Sequence, residues 1–261
     1  MPGQNCTPLS PCRLLCEQTD LREENAVLMK PAPSTDPVAA KYAPWVSLLR
    51  EDSAYLRAAP APAYWSLAPY YVGQITDAAC SLASAAMLVN AGRAGRALAA
   101  DAKLITQQAL LDAVGSDPWR AGVASDEGHG VGLRQLQDLL AVSLRTYEMA
   151  ASQVEAVPLE QQSGEALARF RAALRAAETA PGQFIIANYY MAAVIGRGDY
   201  GHFSPIGAYD AGRDRVLILD VYRVEFEPYW VPAERLFAGM ATVSRADGEP
   251  RGYLTIRLPA S

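Results

Sequence analysis

Apolar residues fall into two successive patterns along this chain. Up to about residue 180 they recur at the three- and four-residue spacing of helices. "CSLASAAMLVNA" (80–91) is small and apolar on every side, which predicts a buried helix. "LITQQALLDAVG" (104–115) keeps helical spacing and stops at Gly115. "GLRQLQDLLAV" (132–142) is apolar at 133, 136, 139 and 140, an amphipathic helix. "SGEALARFRAALRAAETAPGQ" (163–183) is a longer one, with Ser163 as cap and "APG" as terminator. Beyond it the segments shorten and turn β-branched or aromatic. "QFIIANYY" (183–190), "FSPIGAYD" (203–210), "RVLILDVYRVEF" (215–226) and "RGYLTIRL" (251–258) read as strands bounded by Gly, Asp and Pro. Helices first and strands second predict an α+β fold with an antiparallel sheet. Residues 1–40, rich in Pro, Ser, Thr and charge, read as a flexible or loosely docked arm, and 41–261 as the folded domain. "RAAPAPA" (57–63) reads as an extended connector.

Composition narrows the class. Of 261 residues 51% are hydrophobic and 20% charged, as in ordinary soluble globular proteins. A net charge of −5 with no basic block argues against nucleic acid or an anionic membrane as partner. No run approaches the roughly 18 apolar residues of a spanning helix, and the N-terminus lacks the pattern of a secretion signal. Four unevenly spaced cysteines (6, 12, 16 and 80) are too few to staple a chain of this length, so a cytoplasmic protein with reduced thiols is expected. Cys6, Cys12 and Cys16 match no closed metal site and read as incidental thiols.

Histidine is the informative count, because only His129 and His202 are present. Cys80 stands where a polar turn becomes a helix, and unsatisfied N–H groups at a helix N-terminus favour a thiolate there. A cysteine nucleophile needs an imidazole, and His202 has the better setting. If 203–210 and 215 onward form a hairpin with Tyr209 opposite Arg215, paired positions sum to 424, and His202 and Asp220 share a face one diagonal step apart. Asp220 then emerges from the apolar "VLIL" run beside the ring, placed to fix its tautomer and stabilise its protonated form. Gln74, six residues before the cysteine, is an uncharged donor suited to an oxyanion. His129, between glycines and beside Asp126 and Glu127, reads as part of a solvated loop rather than a metal site.

These residues resemble a known family. "QITDAACSLASAAMLVNA" and "GHFSPIGAYD…DRVLILDVYRVEFEPYWVPAERL" look like phytochelatin synthase, a relative of the papain-like cysteine peptidases, over roughly residues 65–258. The resemblance implies a helical lobe carrying the nucleophile packed on a sheet lobe carrying His and Asp. It also implies Cys80 as nucleophile, His202 as base and acid, Asp220 as orienting carboxylate and Gln74 as oxyanion donor. The implied reaction cleaves the Cys–Gly amide of glutathione or a related γ-glutamyl thiol through an acyl-enzyme. Water or a second thiol peptide takes the acyl group, water the more often in the bacterial members that consist of this half alone. No cofactor is implied; a heavy-metal ion enters only as a thiolate complex of the substrate. The oligomeric state stays open, a homodimer included. Arg251 matches the arginine that takes the γ-glutamyl carboxylate, while Ser244 stands where the family has an aspartate for the ammonium, with Asp247 three residues late. Ser81 replaces a usual glycine, Arg223 is kept, and Glu225 replaces a lysine. Ser244, Ser81 and Glu225 motivate an alternative, an amide-forming or amide-cleaving acyltransferase of secondary metabolism with a non-glutathione donor and an amine acceptor.

Overall fold

A computed structural model describes residues 41–125, 127–245 and 247–259. The N-terminal arm with Cys6, Cys12 and Cys16 lies outside the described residues, as does Asp126. In chain order the elements are β1 (Ser47–Leu48), α1 (Ala54–Ala58), α2 (Pro62–Leu67), α3 (Cys80–Ala94), α4 (Gln107–Val114), α5 (Asp117–Gly122), α6 (Leu133–Thr146) and β2 (Gln153–Pro158). They continue with α7 (Gly164–Thr179), β3 (Gln183–Tyr190), α8 (Met191–Ile195), β4 (Gly201–Asp210), β5 (Arg215–Ile218), β6 (Tyr229–Pro232), α9 (Ala233–Met240) and β7 (Gly252–Arg257). The strands form one antiparallel sheet in the order β1-β6-β5-β4-β3-β7-β2. This is the expected α+β architecture, compatible with a papain-like fold.

Local chemistry sets the helix ends. Thr106, Ser116 and Ser163 cap α4, α5 and α7, each accepting from the amide three residues on. Gly115 closes α4 at φ 64°, a conformation that favours glycine. α3 is buried from Cys80 to Asn90, as its small apolar composition predicts. The sheet is covered on both faces. Phe184 and Ile186 of β3 join α3, α4 and α6 in one core, while Ile185 and Ala187 join α7 and α9 in another. That two-sided burial explains why β3 is a continuous apolar run rather than an alternating one.

The structure corrects three expectations. The stretch 57–63 is no extended connector: α1 ends at Ala58, and Pro62 opens α2, where its missing N–H costs nothing. The strand expected over 215–226 stops at Ile218, after which Asp220 Oδ1 accepts from Tyr222 N and the chain turns at 222–226. The hairpin closes one residue off the expected register, with Asp210 and not Tyr209 opposite Arg215, because the Asp210 carboxylate binds Arg215 Nε (3.1 Å) and Arg213 N (3.2 Å). A bulge at Gly207 then absorbs the slip, so that Ile206 pairs with Ile218, a sum of 424 as anticipated. A Cβ at Gly207 would press on Leu217 and Leu219, at 3.2 and 3.1 Å.

Gly252 is a point of close backbone approach between β7 and its neighbours. It pairs with Pro158 and Asn188, and a Cβ there would lie 2.1 Å from Val157 O. Gly252→Ala is expected to cost about 2–3 kcal/mol, as overpacking does when only backbone can yield. Urea unfolding measures it, and an unchanged midpoint would show that the β2 edge moves aside freely.

Candidate active site

Cys80 is the first residue of α3, where its backbone N–H belongs to the first-turn amides that no helical carbonyl reaches. The loop before it is pinned from three sides. Gln107 Nε2 donates to Gly73 O (2.7 Å) and its Oε1 accepts from Ile75 N (3.2 Å), while Thr76 Oγ1 donates to Val123 O (2.6 Å). Gln74 N donates to Val221 O (2.8 Å), tying the loop to the segment that carries Asp220. Ser84 Oγ, one turn into α3, reaches Phe203 O at 3.5 Å and connects the helix to β4. The nucleophile candidate is thereby fixed against the strand of the candidate base.

His202, second residue of β4, is 3% exposed and stands opposite Tyr189 of β3 with the rings edge to face at 5.7 Å. Its Nε2 lies 2.9 Å from Asp220 Oδ1, and Cys80 is near enough to the ring to help raise its pKa. Asp220 has no solvent exposure, and each of its oxygens is met by a donor. Oδ1 accepts from Tyr222 N (2.9 Å), and Oδ2 from Tyr229 Oη (2.9 Å) and more distantly Tyr189 Oη (3.4 Å). Tyr71 Oη also donates to the Asp220 carbonyl. Burial works against the imidazolium, but the adjacent Asp220 charge and hydrogen bond, aided by Cys80, outweigh it and push His202 up to about 10. Burial likewise opposes the Asp220 charge, and His202 followed by Tyr222 N and Tyr229 bring its carboxyl below the usual range. The geometry therefore holds the cysteine sulfur, an imidazolium and a carboxylate in series.

A cavity of about 950 Å³ opens on this series. Cys80 and Asp77 form one side, and Ser125 with residues 128–131, His129 among them, another. The β3 residues Asn188 and Tyr190, the start of β4 and the segment 242–245 with Arg251 complete it. Among the residues expected to bind substrate, Arg251 and Ser244 line the cavity, whereas Arg223 and Glu225 do not. Arg223 lies over the Tyr71 ring at 4.6 Å, and Glu225 is ion-paired with Arg197 at 2.8 Å. Gln74 spends both amide hydrogens on Thr76 O and Asp77 O, each at 2.9 Å, so the expected oxyanion donor is engaged elsewhere. The Cys80 backbone N–H, in the first turn of α3, is a donor at the thiol. Ser81 does not crowd the nucleophile: its buried hydroxyl accepts from Trp119 Nε1 at 3.1 Å. Asp247 turns toward Gly132 at the head of α6. Among the described residues no cluster of three or more metal-ligating side chains occurs, and no helix is long and apolar enough to cross a membrane.

Several residues escaped sequence reasoning. Tyr189 and Tyr229 look like core aromatics in apolar strands, and only the fold shows their hydroxyls meeting at 3.1 Å beside Asp220. His129 is exposed, as a loop residue should be, yet it faces the cavity. Asn188 and Asp199 carried no pattern at all.

An α+β scaffold that buries an Asp–His pair behind a cysteine at the start of a helix is compatible with the papain-like class of cysteine enzymes. Comparison with known proteins narrows this. A family model described as phytochelatin synthase matches residues 49–253, and the chain belongs to that family. Curated relatives include glutathione gamma-glutamylcysteinyltransferase 1 of Lotus japonicus, 37% identical over 110 residues, or 42% of this chain and 21% of the relative. Glutathione gamma-glutamylcysteinyltransferase 3 of the same plant is 49% identical over 72 residues (28% and 15%). Glutathione gamma-glutamylcysteinyltransferase 1 of Arabidopsis thaliana is 42% identical over 77 residues (28% and 16%). The matched stretches thus span about a fifth or less of each relative's length.

The buried pair fixes how stability depends on pH. His202 is raised above its unfolded value of 6.5, so its contribution is complete below that pH and is lost as pH climbs through about 10. Asp220 is depressed, so its contribution disappears only as acid protonates the carboxylate. Asp220→Asn is expected to destabilise the protein by about 3 kcal/mol at neutral pH and to abolish the decline between neutral and about pH 10. Urea melts across that range decide it; an equally stable variant at pH 7 would show that the pair does not hold the structure.

Proposed function

We propose that the protein is a cysteine-nucleophile acyl enzyme that cleaves the Cys–Gly amide of glutathione or a closely related γ-glutamyl thiol. The single observation that carries this reading is the buried Asp220–His202 pair with Cys80 beside it at the wall of a cavity containing Arg251. Cys80, as thiolate, attacks the amide carbonyl carbon while the developing oxyanion turns to the Cys80 backbone N–H. His202 gives its proton to the departing glycine nitrogen, the C–N bond breaks, and the γ-glutamylcysteinyl group remains as a thioester on the sulfur. Water, or a second thiol peptide, then gives its proton to His202 and takes the acyl group, which restores the thiolate and the imidazolium. Asp220 keeps the ring oriented and offsets its charge throughout.

Family membership and the names of the curated relatives support glutathione as the donor. A metal ion would take part as a thiolate complex of the acceptor, with no resident cofactor. A reducing compartment suits a free thiol nucleophile, and we read the protein as cytoplasmic. The alternative acyltransferase with an amine acceptor keeps only Ser244 among its motivations, because Ser81 holds Trp119 and Glu225 holds Arg197 outside the cavity.

Incubation of the folded protein with glutathione is expected to release glycine and to leave a γ-glutamylcysteinyl adduct on Cys80. Cys80→Ala should remove both, and His202→Ala should lower glycine release at least a hundredfold. Amino-acid analysis and intact-mass spectrometry read the outcome. No glycine from folded wild-type protein would sink the proposal, and an adduct of another acyl group would favour the alternative.

A further inference from the structure

Arg251 is 6% exposed, and both of its hydrogen bonds come from Nη1, to Thr242 Oγ1 (3.0 Å) and Val243 O (2.6 Å). Among the described residues no carboxylate lies within ion-pair distance of it. Gly201 makes room for the guanidinium, since a Cβ there would stand 2.9 Å from Nη2. A buried cation in this state is completed by an anionic ligand group. Beside it on the cavity wall are acceptors. Asn188 and Tyr190 alternate onto one face of β3, and the Asn188 Oδ1, buried, has no hydrogen-bond partner. Tyr190 puts its ring 5.9 Å from the Arg251 guanidinium and donates its hydroxyl to Asp199 at 2.8 Å. Arg245, the residue after Ser244, reaches the same carboxylate at 2.8 Å.

The Asp199 carboxylate is thus brought to the rim between the neighbours of Ser244 and of Arg251. Its carboxyl is held below the usual range, first by Tyr190 and then by Arg245, so it is charged. The Arg245–Asp199 pair is exposed, and exchanging one exposed cation for another costs little. Asp77, the other carboxylate at the cavity, lies three residues before Cys80 and accepts from Tyr222, away from Arg251. A cationic donor next to anionic and neutral acceptors complements a ligand that carries a carboxylate and an ammonium on one carbon.

Resting on the proposed reaction, we propose that Asp199 is the residue that selects for a free α-ammonium on the acyl donor, with Arg251 taking the α-carboxylate beside it. The carboxylate that position 244 does not supply comes from the turn before β4. Arg245 competes with the ligand for it.

The test measures binding by calorimetry in Cys80→Ala protein, which cannot turn over, with glutathione and with its des-amino analogue glutaryl-cysteinylglycine. Glutathione is expected to bind at least about tenfold tighter than the analogue, as for the loss of a hydrogen bond to a charged group. Asp199→Asn should erase that difference by weakening glutathione alone. Arg245→Gln should keep the difference or enlarge it, because a competing cation is gone. Equal affinities in the parent, no measurable glutathione binding, or both variants weakening both ligands alike would overturn the assignment. Glycine release by protein with Cys80 intact tests the reaction separately, so ammonium-selective binding without glycine release would overturn the reaction and leave the site.

Discussion

A carboxylate with no exposure to water constrains everything packed around it. Asp220 needs a donor at each oxygen and a positive charge within contact, because an unmatched buried ion costs several kcal/mol. The chain supplies these from four separate segments: His202 from β4, Tyr189 from β3, Tyr229 from β6, and the backbone of Tyr222 just after the carboxylate itself. Satisfying one carboxylate therefore aligns the centre of the sheet. It also keeps the imidazole protonated at the place where the cysteine approaches. The same interaction thus serves stability and chemistry, and a defect in it would register in both.

The remaining architecture brings Cys80 to that ring. Helix α3 begins at the cysteine because the preceding loop is held by Gln107, Thr76 and the Val221 carbonyl. Its buried length packs it against the sheet face formed by Phe184, Ile186 and Phe203. Ser81, the residue after the nucleophile, braces α5 through Trp119, so the start of α3 is fixed on both sides. The cavity then forms where β3, β4 and the segment before β7 meet the loop ahead of α6. Arg251, Arg245 and Asp199 share one part of its wall, and Asp77 stands with the thiol on another.

Much of this was legible in the sequence. Helices α3, α4, α6 and α7 announce themselves by spacing and end signals, and β3 and β7 by aromatic and β-branched runs, whereas α5 did not stand out. His202 and Asp220 could be paired from strand alternation alone, yet the reasoning succeeded through a detail it did not contain: the slip at Asp210 is undone by the bulge at Gly207. A register argument carries only as far as the next irregularity, and a side chain that binds its own turn creates one. Gln74, Arg223 and Glu225 show a different limit. Position in a motif identifies them, but whether an amide or a charge is free depends on how the turn folds, as for Gln74 with Thr76 and Asp77, or on neighbours distant in sequence, such as Arg197 for Glu225. Tyr229 and Asp199 were hidden for the same reason, since their partners lie on other strands and loops.

The central claim is that His202 is an imidazolium at neutral and mildly alkaline pH because the buried Asp220 carboxylate keeps it so. Long-range nitrogen–proton NMR of the two histidine rings tests this directly, with His129→Gln to assign the signals. At about pH 8 both ring nitrogens of His202 should carry protons, and deprotonation should appear only near pH 10. A bare ring nitrogen on His202 at about pH 8 in the folded protein would contradict the account.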